Sequence, residues 1–205
     1  MSKLLIGFSG SSGSGKTTLV NELGKKLRGR GYTVAVVVEV VRKVFSEIRQ
    51  WKDVNGLLDV RHNSSFFIHF QKRILEEQAK AEQDALKKAD VVLTDRTIYD
   101  NYFYTIFWYN YSQPTQYKDL EEYVRKFRDI EVSKPPYDII FYCELLTDNV
   151  DDGFRTPDLT YRLVQHDMIR RLIQAKRVVE LPNVSLGKRV KMCLDVIEEV
   201  IHLEV

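Results

Sequence analysis

Short continuous apolar runs alternate along the chain with stretches in which apolar residues recur at helical spacing. Leu4-Leu5-Ile6-Gly7-Phe8 is a run of strand length. Leu19, Val20, Leu23 and Leu27 then mark one face of a helix that continues to Arg30 and stops at Gly31. The β-branched and alanine run Val34 to Val38 predicts a central strand buried on both faces. Ser64 to Lys88 predicts a long helix, and Val91 to Asp95 a third strand that ends in an acid. Further helices are expected from Ile98 and from Tyr117 to about Glu131, before Pro135-Pro136 breaks the pattern. Asp138 to Leu145 predicts a fourth strand, Leu159 to Ala175 a helix, Val178 to Leu181 a fifth strand and Leu186 to Leu203 a last helix. Strands and helices in alternation argue for an α/β fold, a parallel sheet with helices on both faces. No repeat or linker interrupts the pattern, so residues 1–205 are expected to form a single domain.

Composition narrows the class without naming a function. A hydrophobic content of 44% and a charged content of 29% are those of an ordinary soluble globular protein. The net charge of +2 is too small to make nucleic acid the expected main partner. Cys143 and Cys193 lie in apolar contexts far apart in sequence, which suggests neither a disulfide framework nor a zinc site. Likewise His62, His69, His166 and His202 show no metal spacing. The apolar start is too short for a signal peptide, and no run approaches the roughly 20 apolar residues of a spanning helix. A cytoplasmic protein with no membrane segment is expected.

The chemistry concentrates between the first strand and the first helix, where residues 10–17 read G-S-S-G-S-G-K-T. Glycine, four residues, glycine, lysine, then serine or threonine is the full phosphate-binding loop pattern, and strand before with helix after is its required context. Glycines let the backbone turn its N–H groups toward phosphate oxygens, and the following helix adds its positive end. Gly10, Ser11, Ser12, Gly13, Ser14, Gly15, Lys16, Thr17 and Thr18 are therefore the expected nucleotide-binding residues. Lys16 would reach the β and γ phosphates of ATP, and the Thr17 hydroxyl would ligate Mg²⁺.

Other polar residues fall where such a site would use them. Glu39 follows the second apolar run and would stand at the carboxyl edge of the sheet, where open α/β sheets bind ligands. There a carboxylate can act as the base that deprotonates an attacking hydroxyl, with Arg42 steadying an anion. The structural alternative is an ordinary surface Glu–Arg pair. Asp95, at the end of the third strand, fits the acid that orients Mg²⁺, which the phosphate loop demands, and Arg96 beside it can grip a phosphate; the structural alternative, compatible with that role, is Asp95 as the cap of the next helix. Residues 147–160 have the composition of a flap, and Arg155, with Arg162 seven residues on, would neutralise a transferring phosphoryl group or simply pair with nearby acids. Gln71 and Gln78 interrupt the apolar stripe of the long helix and need polar partners, from a ligand edge or from the protein itself. Eight aromatic residues between Tyr99 and Tyr111 exceed what one helical face buries, so core packing, a base-stacking wall led by Tyr99 and a homodimer contact all compete for them.

These residues, in this order, resemble the small P-loop kinases of nucleosides and nucleotides, closest to the ribosylnicotinamide kinase-like group with its AAA-type ATPase domain. The matching parts are the phosphate loop, the Glu39 to Arg42 step, Val-Val-Leu-Thr-Asp95-Arg96 and Asp152-Gly153-Phe154-Arg155, with the stretch from Leu181-Pro182 to Arg189 closing the pattern. The resemblance implies a three-layer α/β/α fold with a five-stranded parallel sheet and an ATP- and Mg²⁺-dependent phosphotransferase acting on a small nucleoside-like acceptor. Lys16, Glu39, Asp95 and Arg155 would be its catalytic residues, and Arg42, Gln71, Arg96, Tyr99 and Arg162 would line the acceptor side. A signalling GTPase is excluded by the absence of an Asn-Lys-x-Asp motif. A regulatory ATPase with no acceptor, and a 5′-hydroxyl nucleic-acid kinase guided by Lys25, Lys26, Arg28 and Arg30, stand as alternatives.

Overall fold

The computed structural model describes residues 3–38, 40–49, 64–112, 117–145 and 159–203. In chain order its elements are β1 (Leu4–Ser9), α1 (Lys16–Gly29), β2 (Val34–Val37), α2 (Val40–Arg49), α3 (Ser64–Lys88) and β3 (Val91–Asp95). There follow α4 (Ile98–Ser112), α5 (Tyr117–Ser133), β4 (Ile139–Cys143), α6 (Leu159–Leu172), β5 (Arg177–Leu181) and α7 (Leu186–Leu203). The five strands pair in parallel in the order β2-β3-β1-β4-β5.

Because strand side chains alternate in direction, each central strand feeds two cores. Leu4, Ile6 and Phe8 join Leu93, Phe141 and Cys143 under α1 and α7, where Leu19, Leu23, Cys193 and Ile197 meet them. On the other face, Leu5, Val92 and Ile140 pack with Phe67, Phe70 and Leu75 of α3, Phe103 of α4 and Tyr123 of α5. The three-layer α/β/α architecture with a five-stranded parallel sheet follows from these two cores.

One expectation about the sheet is corrected. The run beginning at Val34 is an edge strand rather than a central one, and of its four residues only Val37 is buried. Its sequence is apolar throughout because helices cover both of its faces: Val34 and Val36 lie against the α1 side and Ala35 against the α3 side. The open edge is what leaves them half-buried.

This strand order creates the site. The chain leaves β1 for β2, returns to lay β3 between them, then crosses to β4 on the far side of β1. The carboxyl ends of β1, β3 and β4 therefore lie side by side at the point where the winding reverses, the crevice in which open α/β sheets bind ligands. Phe8 is in register with Asp95 and Ser9 with Tyr142. The phosphate loop leaving β1 is thus flanked by the ends of β3 and β4.

Candidate active site

The phosphate loop is built by left-handed glycines at its two ends. Gly10 has φ 136, and a Cβ there would lie 2.6 Å from the Cys143 carbonyl oxygen, so only glycine lets the loop pass the end of β4. Gly15, at φ 77, caps α1 without a side-chain hydrogen bond, and the first turn of α1 holds no acid. The positive end of α1 is consequently offered to an external anion rather than neutralised from within.

Turning N–H groups inward forces the loop's carbonyls outward, into the protein, where they need donors. Cationic side chains supply them. Lys16 Nζ, nearly fully buried, donates to the Gly10 carbonyl at 2.9 Å, to the Ser11 carbonyl at 2.7 Å and to Ser14 Oγ at 2.9 Å. Arg162 of α6 donates from Nε to the Ser12 carbonyl at 3.1 Å, and Arg189 of α7 from Nη1 to the Ser14 carbonyl at 2.8 Å. Burial pulls the Lys16 pKa down to about 8, helped by the Arg96 charge and resisted by Asp95 and Asp100.

The turn after β3 carries the acids. Asp95 accepts a hydrogen bond from the Thr17 hydroxyl, so the two expected magnesium residues meet although they lie 78 positions apart in sequence. Arg96 adopts φ 78, a left-handed conformation that a non-glycine residue holds only when its surroundings enforce it. Its N–H donates to the Phe8 carbonyl at 3.0 Å, and its carbonyl accepts from Thr94 Oγ1 at 3.1 Å. The guanidinium lies 5.0 Å from the Tyr104 ring centroid, and its Nη1 is buried without a partner. Burial opposes the Arg96 charge, but Tyr104, Asp100 and Asp95 outweigh it and hold the group protonated.

Asp100 is a residue that the sequence reading missed. It accepts from the Thr97 backbone at 2.8 Å and from the Thr97 hydroxyl at 2.7 Å, and its other oxygen accepts from the Gly10 backbone at 3.4 Å. Thr97-x-x-Asp100 is thus a capping box that starts α4 and ties it to the phosphate loop. The alternative of Asp95 as the cap is corrected: Thr97 holds that position. The Thr-x-x-Asp spacing was legible in the sequence.

Behind this turn runs a buried polar network. Gln78 donates to Glu82 at 2.8 Å and to Thr94 at 2.5 Å. Tyr137 donates to Glu82 at 2.8 Å and accepts from the Ile98 backbone at 3.1 Å. Lys134 pairs with Glu82 at 3.2 Å, both side chains almost wholly buried. The inward amides of α3 accordingly find protein partners. Gln71 accepts from Asn101 at 2.7 Å, and Asn101 accepts from Tyr123 at 2.6 Å, so the Gln71 carbonyl is engaged in helix packing rather than held open for an acceptor.

Tyr99 is a further correction. Its ring packs on Phe127 at 6.0 Å and Tyr137 at 6.1 Å, beside a groove of about 320 Å³ lined by Ile98, Glu131, Lys134 and Pro135. That groove lies where the chain enters β4 and β5, at the amino edge of the sheet, so Tyr99 faces away from the phosphate loop. The aromatic run is largely core: Phe103 and Tyr109 are buried, and the Tyr102 ring lies 4.4 Å from Phe127. Arg42 is exposed on the first turn of α2. Glu39, Arg155 and nearly all of the expected flap lie outside the described residues. Cys143 and Cys193 are free and buried, with burial raising the Cys143 thiol to about 11.

The parallel sheet, the glycine-framed loop at its reversal point and the Thr17–Asp95 pair define a P-loop nucleoside-triphosphate-binding fold. The chain belongs to the AAA domain family, whose model matches residues 5–189. No curated protein sequence matches it. Among solved structures it is similar to a NadR protein in complex with NR, at 20% identity and a TM-score of 0.67, covering 96% of this chain and 51% of that one. It is also similar to a NadR protein in complex with NAD and AMP-PNP, at 17% identity and a TM-score of 0.66, covering 96% and 49%. This chain therefore spans about half the length of the solved structures it matches.

Proposed function

We propose that this protein is an ATP-dependent kinase that transfers the γ-phosphoryl group to the hydroxyl of a small nucleoside-like acceptor, ribosylnicotinamide or another nucleoside or a nucleoside monophosphate. The observation that carries this reading is the meeting of Thr17 and Asp95 beside Lys16, with Arg96 on the next residue. A bare ATPase needs the loop and the acid. A charged arginine with an unpartnered buried N–H beside them adds a group for a second anion or a developing charge. The solved NadR complexes with NR and with AMP-PNP, similar in fold, support a nucleoside-like acceptor.

Within this reading the backbone N–H groups of residues 13–17 and Lys16 would hold the β and γ phosphates. Thr17 and Asp95 offer a hydroxyl and a single carboxylate, hard oxygen donors that suit Mg²⁺ when phosphates and water complete its shell. Mg²⁺ bound there would neutralise charge on the β and γ phosphates. Glu39 would take the proton of the acceptor hydroxyl as its oxygen bonds to the γ phosphorus, the bond to the β-phosphate oxygen breaks and ADP leaves. Arg96, Arg155 and Arg162 would share the charge of the transferring group, with Arg42 at the rim.

The test is a transfer screen with γ-labelled ATP and Mg²⁺ against nucleosides, ribosylnicotinamide, nucleoside monophosphates and a 5′-hydroxyl oligonucleotide, beside a control without acceptor. Label on a small nucleoside-like acceptor is expected. Free phosphate released equally in every reaction would instead identify an ATPase with no acceptor, and label on the oligonucleotide a nucleic-acid kinase.

A further inference from the structure

Several buried side-chain atoms without a partner, among the described residues, gather at one place. Ser9 Oγ, Ser11 Oγ, Arg96 Nη1, Arg189 Nε and Arg189 Nη2 all belong to the phosphate loop or to residues beside it. Arg189 is the extreme case. It is 3% exposed, carries a permanent charge and uses one N–H on the Ser14 carbonyl, while two nitrogens of its guanidinium stay unpaired. A buried arginine so incompletely satisfied is costly in an isolated protein, and neither packing nor pairing within the described residues explains it.

Its position does. Arg189 stands in the first turn of α7, on the same face of the sheet as α1, and reaches the loop at the Ser14 carbonyl. Ser14 lies between the two glycines that turn the loop, so the direction of its carbonyl sets the direction in which the next N–H groups point. Drawing that carbonyl outward turns those N–H groups inward, toward the anion site. Four cations, Lys16, Arg96, Arg162 and Arg189, surround the loop against two acids, Asp95 and Asp100, among the described residues.

We propose that Arg189 is a positioning residue for nucleotide binding, holding the phosphate loop in its receptive shape through the Ser14 carbonyl and adding charge that a bound polyphosphate compensates. This rests on the nucleotide-binding reading of the loop and assigns the function to a residue on the last helix. Because Arg189 acts on the loop that holds the nucleotide, its loss is expected to appear in direct nucleotide affinity and in the nucleotide KM. The loss of its charge-assisted bond and of its field is expected to weaken nucleotide binding by about 10- to 100-fold.

The experiment measures direct binding of Mg²⁺ with a non-hydrolysable ATP analogue to the full chain, as wild type, Arg189→Met and Arg189→Lys. The Met variant keeps the stem and removes every donor; the Lys variant keeps the charge and loses the fork. Binding about 10- to 100-fold weaker in R189M, with R189K in between and stoichiometry unchanged, supports the inference. A purely structural role would reduce the fraction of competent sites and leave Kd alone, so an unchanged Kd in R189M overturns it. Should R189M fail to fold, R189K decides, and a Kd within about twofold of wild type overturns it. Wild type that binds no ATP analogue sinks the kinase reading together with the inference, whereas equal binding by wild type and R189M sinks the inference alone.

Discussion

Raising the pH above 8 should weaken nucleotide binding, and Lys16 sets the size of the effect. In the ligand-free site its pKa is lowered from 10.5 to about 8, chiefly by burial and next by Arg96. A polyphosphate beside it places several negative charges within contact distance, which returns the pKa to the ordinary lysine value or above. Below pH 8 the free protein already carries the proton, so binding needs no uptake. Above it the bound state must recruit one, and each pH unit then costs about tenfold in affinity, so the loss between pH 7 and pH 9 is about tenfold, or about 1.4 kcal/mol. The same displacement acts on stability with the opposite slope: between about pH 8 and 10.5 the unfolded chain binds the extra proton, so the ligand-free protein gains stability as the pH rises through that window. Calorimetric titration with Mg²⁺ and a non-hydrolysable ATP analogue, in two buffers of different ionisation enthalpy, reads both affinity and proton uptake. Nearly one proton is expected to be taken up at about pH 9 and almost none at about pH 7. Constant affinity across that range with no buffer-dependent heat would refute the reasoning. The substitution Lys16→Arg, which puts a group that does not titrate in this range at the same position, should abolish the pH dependence.

The remaining predictions test the frame around the loop. Gly10→Ala forces a Cβ to 2.6 Å from a backbone oxygen at φ 136, and should lower thermal stability by about 1–3 kcal/mol and weaken ATP binding; an unshifted melting curve would contradict it. Lys134→Met strands the buried Glu82 carboxylate and should cost about 3–5 kcal/mol in chemical denaturation, with Glu82→Gln in the same background recovering part of the loss. Glu39→Gln should leave ATP affinity near wild type and depress turnover heavily, as expected if only the proton acceptor is removed; unchanged turnover would dismiss the base assignment.

Elements with a single strong signal were read closely from sequence. The long helix over Ser64–Lys88, the strand over Val91–Asp95 and the last helix over Leu186–Leu203 have the expected bounds, because continuous periodicity or a β-branched run decided each. The place of β2 was not legible, since an edge strand covered by helices on both faces has the same composition as a central one. The loop and Thr17 were legible because the motif contains them, and that Asp95 stands near them was legible from its place at the end of a central apolar strand. Arg162 was expected beside a transferring phosphoryl group or paired with nearby acids; that it and Arg189 hold carbonyls of the loop was not legible, because contacts 150 and 175 positions apart depend on how α6 and α7 cross the end of the sheet. Tyr99 failed for a related reason. Aromatic density predicts burial but not which end of a helix packing faces the ligand edge, and Tyr137 and Phe127 claimed that ring.

The two arginines and the capping box point to one feature of the site. Its N–H groups can face a polyphosphate only if the backbone oxygens behind them are held from outside, and each of those donors comes from a different element: α1 through Lys16, α6 through Arg162, α7 through Arg189. The Gly10 N–H is meanwhile held by Asp100 of α4. The loop is therefore fastened to both helical layers, on the two faces of the sheet. A change in the angle at which α6 meets the sheet would pull the Ser12 carbonyl through Arg162 and so alter the anion site directly. Arg162 stands four residues into α6, so a movement of that helix has a mechanical route to the phosphate loop through one buried guanidinium. Arg162→Lys, which keeps the charge but loses the fork, should loosen that link and raise the nucleotide KM more than the acceptor KM; an equal rise in both would place Arg162 at the acceptor instead.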